Sequence, residues 1–361
     1  LNAAAVREPA ERHRLLVVGS RFEAGADAEA RSDETLADRD VVDLPSLLRP
    51  GDVLVVNDAA TLPASLRGRT EGGAPVEVRL LGHPRGDAWP ALLFGAGDWR
   101  TQTEDRPLPP ALRTGASIVF ADGLVAVVDR VWPESPRLVD VRFDRAGTTL
   151  LAALYAQGRP VQYAYHPQPL SLRALQTPFA ARPWAAEMPS AGRALTAALL
   201  ARLRRAGVGV AGLTHAAGLS STGDAALDAL LPLPEPYEVP EETAEAVAAT
   251  RRRGGRVVAA GTTVVRALES AAGEGDGRVA PGRGVATLRL DGGHTLTAVD
   301  AILTGMHEPG SSHFALLTSF VSAERLMEAH ARAESLGYLA HEFGDSMLVW
   351  GDGRGRGRER T

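Results

Sequence analysis

Four segments carry residue types and spacings that could do chemistry. The first is Arg256-Val-Val-Ala-Ala-Gly-Thr-Thr-Val-Val-Arg-Ala-Leu-Glu-Ser270, an apolar run that passes through one glycine and two threonines into a helical pattern. Free amides at such a helix start, with the hydroxyls of Thr262 and Thr263, would receive a carboxylate or phosphate. Equally, one threonine could merely cap the helix. Arg266 and Glu269, three residues apart, read either as a surface pair or as a polar wall of the same pocket. The second segment, Leu213-Thr-His-Ala-Ala-Gly-Leu-Ser-Ser-Thr222, puts His215 at a strand end, ahead of small residues. Ligands bind at such ends in α/β sheets, although a loop histidine can also be simply solvated. The third, Thr304-Gly-Met-His-Glu-Pro-Gly-Ser-Ser312, sets His307 before a helix start, where Pro309 and Ser311 also serve as ordinary punctuation. The fourth, Glu342-Phe-Gly-Asp-Ser-Met347, offers Glu342 and Asp345 around a glycine; a strand-entry turn explains the same residues.

These groups need elements to position them. Gly51-Asp-Val-Leu-Val-Val-Asn57 has the pattern of a buried strand. From about 60 to about 150 the texture is short β-rich runs, at 76–81, 89–95, 117–121, 124–132 and 137–144, separated by Gly, Pro and Asp. Asp122-Gly123 between two of them signals a hairpin. A small antiparallel barrel or sandwich follows. After Leu150 helices and strands alternate. Thr196 caps a helix carrying Leu199, Leu200 and Leu203, 208–213 is a strand, and Pro240-Glu-Glu242 opens a second helix that Gly254-Gly255 stops. A strand at 256–260, helices at 263–272, 311–320 and 323–336, and a last strand at 346–350 complete the order. The expected class is α/β: a mainly parallel sheet domain (1–59 and 151–350) with an inserted antiparallel β-barrel domain (60–150) and a disordered tail at 351–361. His215, Thr262, Thr263 and His307 are expected to line one cleft at the carboxyl ends of neighbouring strands.

Composition narrows the chemistry. The chain has 361 residues, 45% of them hydrophobic, enough for more than one domain. Zero cysteines exclude thiolate nucleophiles and cysteine-rich metal sites. The sequence contains no lysine, so all 39 basic residues are arginines and a Schiff-base lysine is excluded. The nine histidines form no i, i+4 pair or compact cluster, which argues against a zinc site. No run long enough to span a membrane and no export signal is read, so a cytoplasmic protein is expected. The net charge of -5 means that an RNA partner would be met by a local patch. Arg251, Arg252 and Arg253 are one candidate, though such residues also suit a solvated helix end.

In order along nearly the whole chain, these segments resemble the S-adenosylmethionine:tRNA ribosyltransferase-isomerase family of queuosine biosynthesis. Pro50-Gly-Asp-Val-Leu-Val-Val-Asn57 resembles the family's Pro-Gly-Asp strand, and Pro189-Ser-Ala-Gly192 its Pro-Thr-Ala-Gly turn. Residues 259–270 are similar to its Gly-Thr-Thr-x-x-Arg-x-Leu-Glu-Ser signature, 304–312 to its Thr-Asn-Phe-His-x-Pro-x-Ser-Thr motif, and 338–347 to its closing segment. The resemblance implies an α/β domain with an inserted β-barrel. It also implies transfer and isomerisation of the ribosyl group of S-adenosylmethionine onto 7-aminomethyl-7-deazaguanine in tRNA, releasing adenine and methionine. S-adenosylmethionine is then the ribosyl donor, and no metal is implied. On this footing His215, His307 and Glu235, the retained glutamate of a family His-x-Met-His-x-Glu stretch, are the expected catalytic residues. Gly192, Gly261, Thr262, Thr263, Arg266, Glu269 and Asp345 are expected at the S-adenosylmethionine site. The chain departs from the family at polar positions: Asp58-Ala59-Ala60 stands for Asn-Thr-Arg, and Arg193-Ala194 replaces Leu-His. Two other outcomes therefore stay open, a paralogue using a free small-molecule acceptor and a non-catalytic nucleoside-binding homologue. The sequence sets no oligomeric state.

Overall fold

Val53–Asn57 has four aliphatic side chains in a row, and every residue of it is buried, as a strand covered on both faces requires. In the computed structural model, which describes residues 1–3, 5–6, 12–19, 36–273 and 277–352, this strand is an interior one, the fourth of a nine-stranded sheet. Its neighbours, Gly209–His215 on one side and Val257–Ala260 on the other, both run parallel to it, and Ala301–Gly305 continues the parallel set. The flanks are mixed. Glu235–Val239 and Gly282–Ala286 extend one side antiparallel. Beyond Ala301–Gly305 come Ser346–Trp350 (antiparallel), Arg14–Val18 (parallel) and Leu36–Asp40 (antiparallel). The expected disordered tail falls, from 353 onward, outside the described residues.

Strand alternation sends successive side chains to opposite faces. Leu54, Val56, Val258 and Leu303 meet Leu199, Leu200 and Leu203 of the Ala197–Arg205 helix on one face. Val53, Val55, Val257 and Ala259 meet Val264, Val265 and Leu268 of the Thr262–Ala272 helix on the other. Thr196 caps the first helix, its hydroxyl accepting from Leu199 N at 3.2 Å. Ser311 and Ser322 cap Ser312–Leu317 and Ala323–Ser335 in the same way.

The β-rich stretch closes on itself. Val125–Trp132, Ser135–Phe143, Trp89–Phe94, Pro75–Leu80, Ser65–Thr70 and Ser117–Phe120 form a closed antiparallel barrel. It is inserted between two strands, Val53–Asn57 and Gly209–His215, that pair directly with each other. Asp122 and Gly123 both adopt positive φ, 52° and 69°, and reverse the chain between two barrel strands as a hairpin needs. Ser65–Thr70 is a strand that the sequence reading missed. A Cβ on Gly68 would lie 2.7 Å from Ile118, so the glycine lets the facing strand close. On the face of Pro75–Leu80 opposite Val76, Val78 and Leu80, Glu77 is clamped between Arg79, at 2.6 Å, and Arg106, at 2.5 Å. Arg79, Arg106 and Arg137 all place their guanidiniums on the Phe94 ring, at 4.2, 5.1 and 4.9 Å.

Candidate functional site

The carboxyl ends of the parallel strands open into one cleft of about 560 Å³. Asn57, the last residue of its strand, ties the floor together. Its Oδ1 accepts from His215 N at 3.0 Å, and its Nδ2 donates to His215 O at 3.0 Å and to Thr263 Oγ1 at 3.2 Å. That last bond answers the capping question. Neither threonine caps the Thr262–Ala272 helix; its N-cap is Gly261, which offers no side chain. Thr262 and Thr263 face the cleft, and as first-turn residues their amides have no acceptor inside the helix. Gly261 is held at φ 105° and ψ 157°, a conformation almost confined to glycine, while a Cβ there would find ordinary space, 3.4 Å from Ala191 Cβ. Gly261→Ala should therefore cost about 1–3 kcal/mol through backbone strain alone. Urea unfolding checks this: the midpoint should fall with an unchanged slope.

Behind one wall is a buried triad. Arg266 donates to Glu235 Oε2, and Glu235 Oε1 accepts from Gly218 N at 2.5 Å. His215 Nε2 is 3.6 Å from Glu235 Oε2, and neither ring nitrogen has a hydrogen bond. Burial, then the Arg266 guanidinium, hold the His215 imidazole well below its ordinary range, so it is neutral. Burial pushes the Glu235 carboxyl up against the pull of Arg266. Arg266 spends its other donors on the carbonyls of Leu233, Ala286 and Leu288.

The opposite rim carries histidines. His307 Nε2 and Thr304 Oγ1 share a 2.7 Å hydrogen bond, and His330 donates to the His307 carbonyl at 2.8 Å. His313 has its ring centroid 4.8 Å from that of His307. Burial, then His313, His330 and His341, keep the His307 imidazole far below its usual value, and burial, then Arg266, bring His313 down to about 4. A third side is built from Tyr163, Tyr165, Glu187 and Glu342. Tyr163 donates to Glu187 Oε1, and Ser220 N reaches the same oxygen at 3.1 Å. Tyr165 donates to Glu342 Oε1 at 2.6 Å, His166 Nε2 bonds Oε2 at 3.1 Å, and His341 stacks on Tyr165 at 4.0 Å.

Of the residues nominated from sequence, Gly261, Thr262, Thr263, Arg266, Glu235 and His307 line this cleft. His215, fully buried, does not line it: its imidazole meets the site through Glu235 and its backbone through Asn57. Glu269 is turned away: its carboxylate receives Thr297 N and Oγ1, Ala298 N and Val299 N, pinning that loop. Asp345 accepts from Arg14 N and Leu339 N, so of the two carboxylates in that turn it is Glu342 that faces the cleft. Gly192 packs under Phe179, and its neighbours Ser190 and Ala191 line the wall instead. Arg251, Arg252 and Arg253 stand at the C-terminal end of a helix, where Arg251 donates to Thr297 O at 2.7 Å. Sequence reasoning missed Tyr163, Tyr165, Glu187 and His313; only their proximity in space marks them. Among the described residues no group of three or more His, Asp or Glu side chains could hold a metal ion, and no helix is long and apolar enough to cross a membrane.

Comparison with known proteins agrees with this architecture. The chain is 38% identical over 327 residues to the S-adenosylmethionine:tRNA ribosyltransferase-isomerase of Rhodospirillum rubrum, covering 88% of each chain. It is 40% identical over 322 residues to the protein of the same name from Anaeromyxobacter dehalogenans strain 2CP-C, covering 87% of this chain and 88% of that one. The crystal structure of S-adenosylmethionine tRNA ribosyltransferase from Thermotoga maritima shares the fold, with a TM-score of 0.50 at 24% identity over 97% of this chain and 96% of that chain. A family model described as queuosine biosynthesis protein matches residues 1–349, and with relatives this similar over most of their length, the chain belongs to that family.

Proposed function

We propose that this protein transfers the ribosyl group of S-adenosylmethionine to 7-aminomethyl-7-deazaguanine in tRNA and isomerises it, releasing adenine and methionine, in the cytoplasm and without a metal. The observation that carries the reading is the convergence of the Gly261-Thr262-Thr263 turn and His307 on one cleft, in a chain whose relatives bear that activity in their names. The sulfonium of the donor acidifies the adjoining carbon and supplies a leaving group, so a positioned base and an oriented amine are enough. Thr262, Thr263 and the free amides beside them suit the polar end of the donor, as a helix start does for an anionic group. Glu235 and Arg266 shape the facing wall. His307, neutral and tied to Thr304, is suited to orient substrate.

Mass spectrometry after incubation with S-adenosylmethionine tests the reading. Adenine and methionine should appear with tRNA carrying the aminomethyl base and not with the free base. Release with the free base alone would move the acceptor to a small molecule, and no release with either would leave a binding protein. Thr263→Val removes one hydrogen-bonding hydroxyl and leaves the Gly261 cap in place, so donor affinity should drop a few-fold to about tenfold in calorimetric titration. An unchanged affinity would remove Thr263 from the donor site.

A further inference from the structure

The chemistry above needs a group that frees the acceptor amine of its proton, and the histidines nominated from sequence are poorly placed for it. His215 is behind Glu235 and out of reach of the cleft. His307 has Nε2 committed to Thr304, and it is held neutral by burial and three neighbouring histidines. His313 binds a proton only near 4. Among the carboxylates, Glu235 is locked to Arg266 and Gly218, and Glu342 spends both oxygens on Tyr165 and His166. Glu187 differs. The Tyr163 hydroxyl and the Ser220 amide both bond Oε1 and leave Oε2 out of these two bonds, and the Ser220 hydroxyl is the further donor beside the carboxylate. It also begins the 187–191 segment, which lines the cleft as far as Ala191, the neighbour of Gly261.

Resting on the function proposed above, we propose that Glu187 is the general base that takes the proton from the ammonium group of the acceptor. The step balances without a further reactant. The N–H bond of the ammonium breaks, its electron pair stays on nitrogen as the nucleophilic lone pair, and the proton forms an O–H bond on Glu187. The neutral amine is then the nucleophile available for the ribosyl transfer, and Glu187 returns its proton to solvent. The surroundings fit this duty. Burial pushes the Glu187 carboxyl up to about 7, against the hydrogen bonds from Tyr163 and Ser220, and the nearby Glu342 adds to the rise. The other titratable or charged groups around it are Tyr163 itself, Arg79 acting on Tyr163 from the barrel, and Tyr165, which stacks on Tyr163. A base with that proton affinity works best near neutral pH.

The test follows adenine release and donor binding from acidic to alkaline pH in wild type, Glu187→Gln and Glu187→Asp, with tRNA carrying the aminomethyl base. Wild-type kcat should fall as the pH drops below about 7, as Glu187 becomes protonated. Glu187→Gln keeps the shape and can still accept from Tyr163. It should lose about 10²–10⁴-fold in kcat and lose the acidic limb, with donor affinity unchanged. Glu187→Asp should retain the limb at an intermediate rate. A Gln variant with wild-type kcat and limb overturns the assignment. If that variant does not fold, the wild-type profile decides: a rate that stays flat through neutral pH overturns it equally. Absence of adenine from wild type with this tRNA sinks the reaction itself, and this assignment with it.

Discussion

Arg266→Met should destabilise the protein by about 3–5 kcal/mol, the usual cost of stripping one partner from a buried ion pair. Arg266 is 3% exposed and the methionine would fill much the same space, so the loss would be electrostatic. Without the guanidinium, Glu235 would stay buried beside a neutral His215, and the carbonyls of Leu233, Ala286 and Leu288 would lose their donor. Urea unfolding measures the effect. Adding Glu235→Gln to the variant should restore part of the loss, because the charge left unpaired is then gone. A single variant costing less than about 1 kcal/mol would show that the pair is not what holds this wall.

Glu77→Gln should be comparably costly, about 3–5 kcal/mol at neutral pH, since it leaves the Arg79 and Arg106 guanidiniums buried without their shared carboxylate. Its pH dependence has a definite sign. Burial alone would push the Glu77 carboxyl up, but Arg79 and then Arg106 outweigh it and hold the group below its ordinary range. A carboxyl depressed by folding contributes stability that is complete above its unfolded value and is lost as pH falls through the folded one. The gap between wild type and variant should thus be full at neutral pH and close in acid, as Glu77 takes up a proton and comes to resemble glutamine. Parallel denaturant titrations at the two extremes would show it. A gap independent of pH would mean that packing, not charge, sets the cost.

Much of the scaffold was legible because it rests on local pattern. The barrel strands announce themselves as short β-rich runs with Gly, Pro and Asp between them, and the helix starts by Thr196 and by Pro240-Glu-Glu242. Ser65–Thr70 escaped because its inward position 68 is a glycine, which carries no hydrophobic signal, and the reason for that glycine is Ile118 on another strand. The site divides in the same way. The Gly-Thr-Thr turn and His307 stand directly after strands, so sheet geometry brings them together. Glu342 and Asp345 are equivalent in sequence, and what separates them is that Asp345 receives the backbone amides of Leu339 and of Arg14, the latter more than 300 residues away in the chain. Tyr163 and Glu187 belong to a stretch with little regular structure, and their partners, Ser220 among them, come from other segments. No periodicity encodes such a meeting.

The order of the strands also has a consequence for how the chain reaches its native state. Every pairing in the barrel joins residues between 65 and 143, whereas Val53 must find Gly209 on one side and Val257 on the other before the central sheet exists. Closing those long loops is entropically expensive and slow, and the barrel's shorter ones are less so. The barrel can therefore assemble while later segments are still emerging from the ribosome, but its parent strand cannot. Until Gly209–His215 and Val257–Ala260 arrive, the apolar Val53–Asn57 segment has both edges unpaired. In this protein the interval of greatest exposure to misassociation is the wait of one early strand for its two late neighbours.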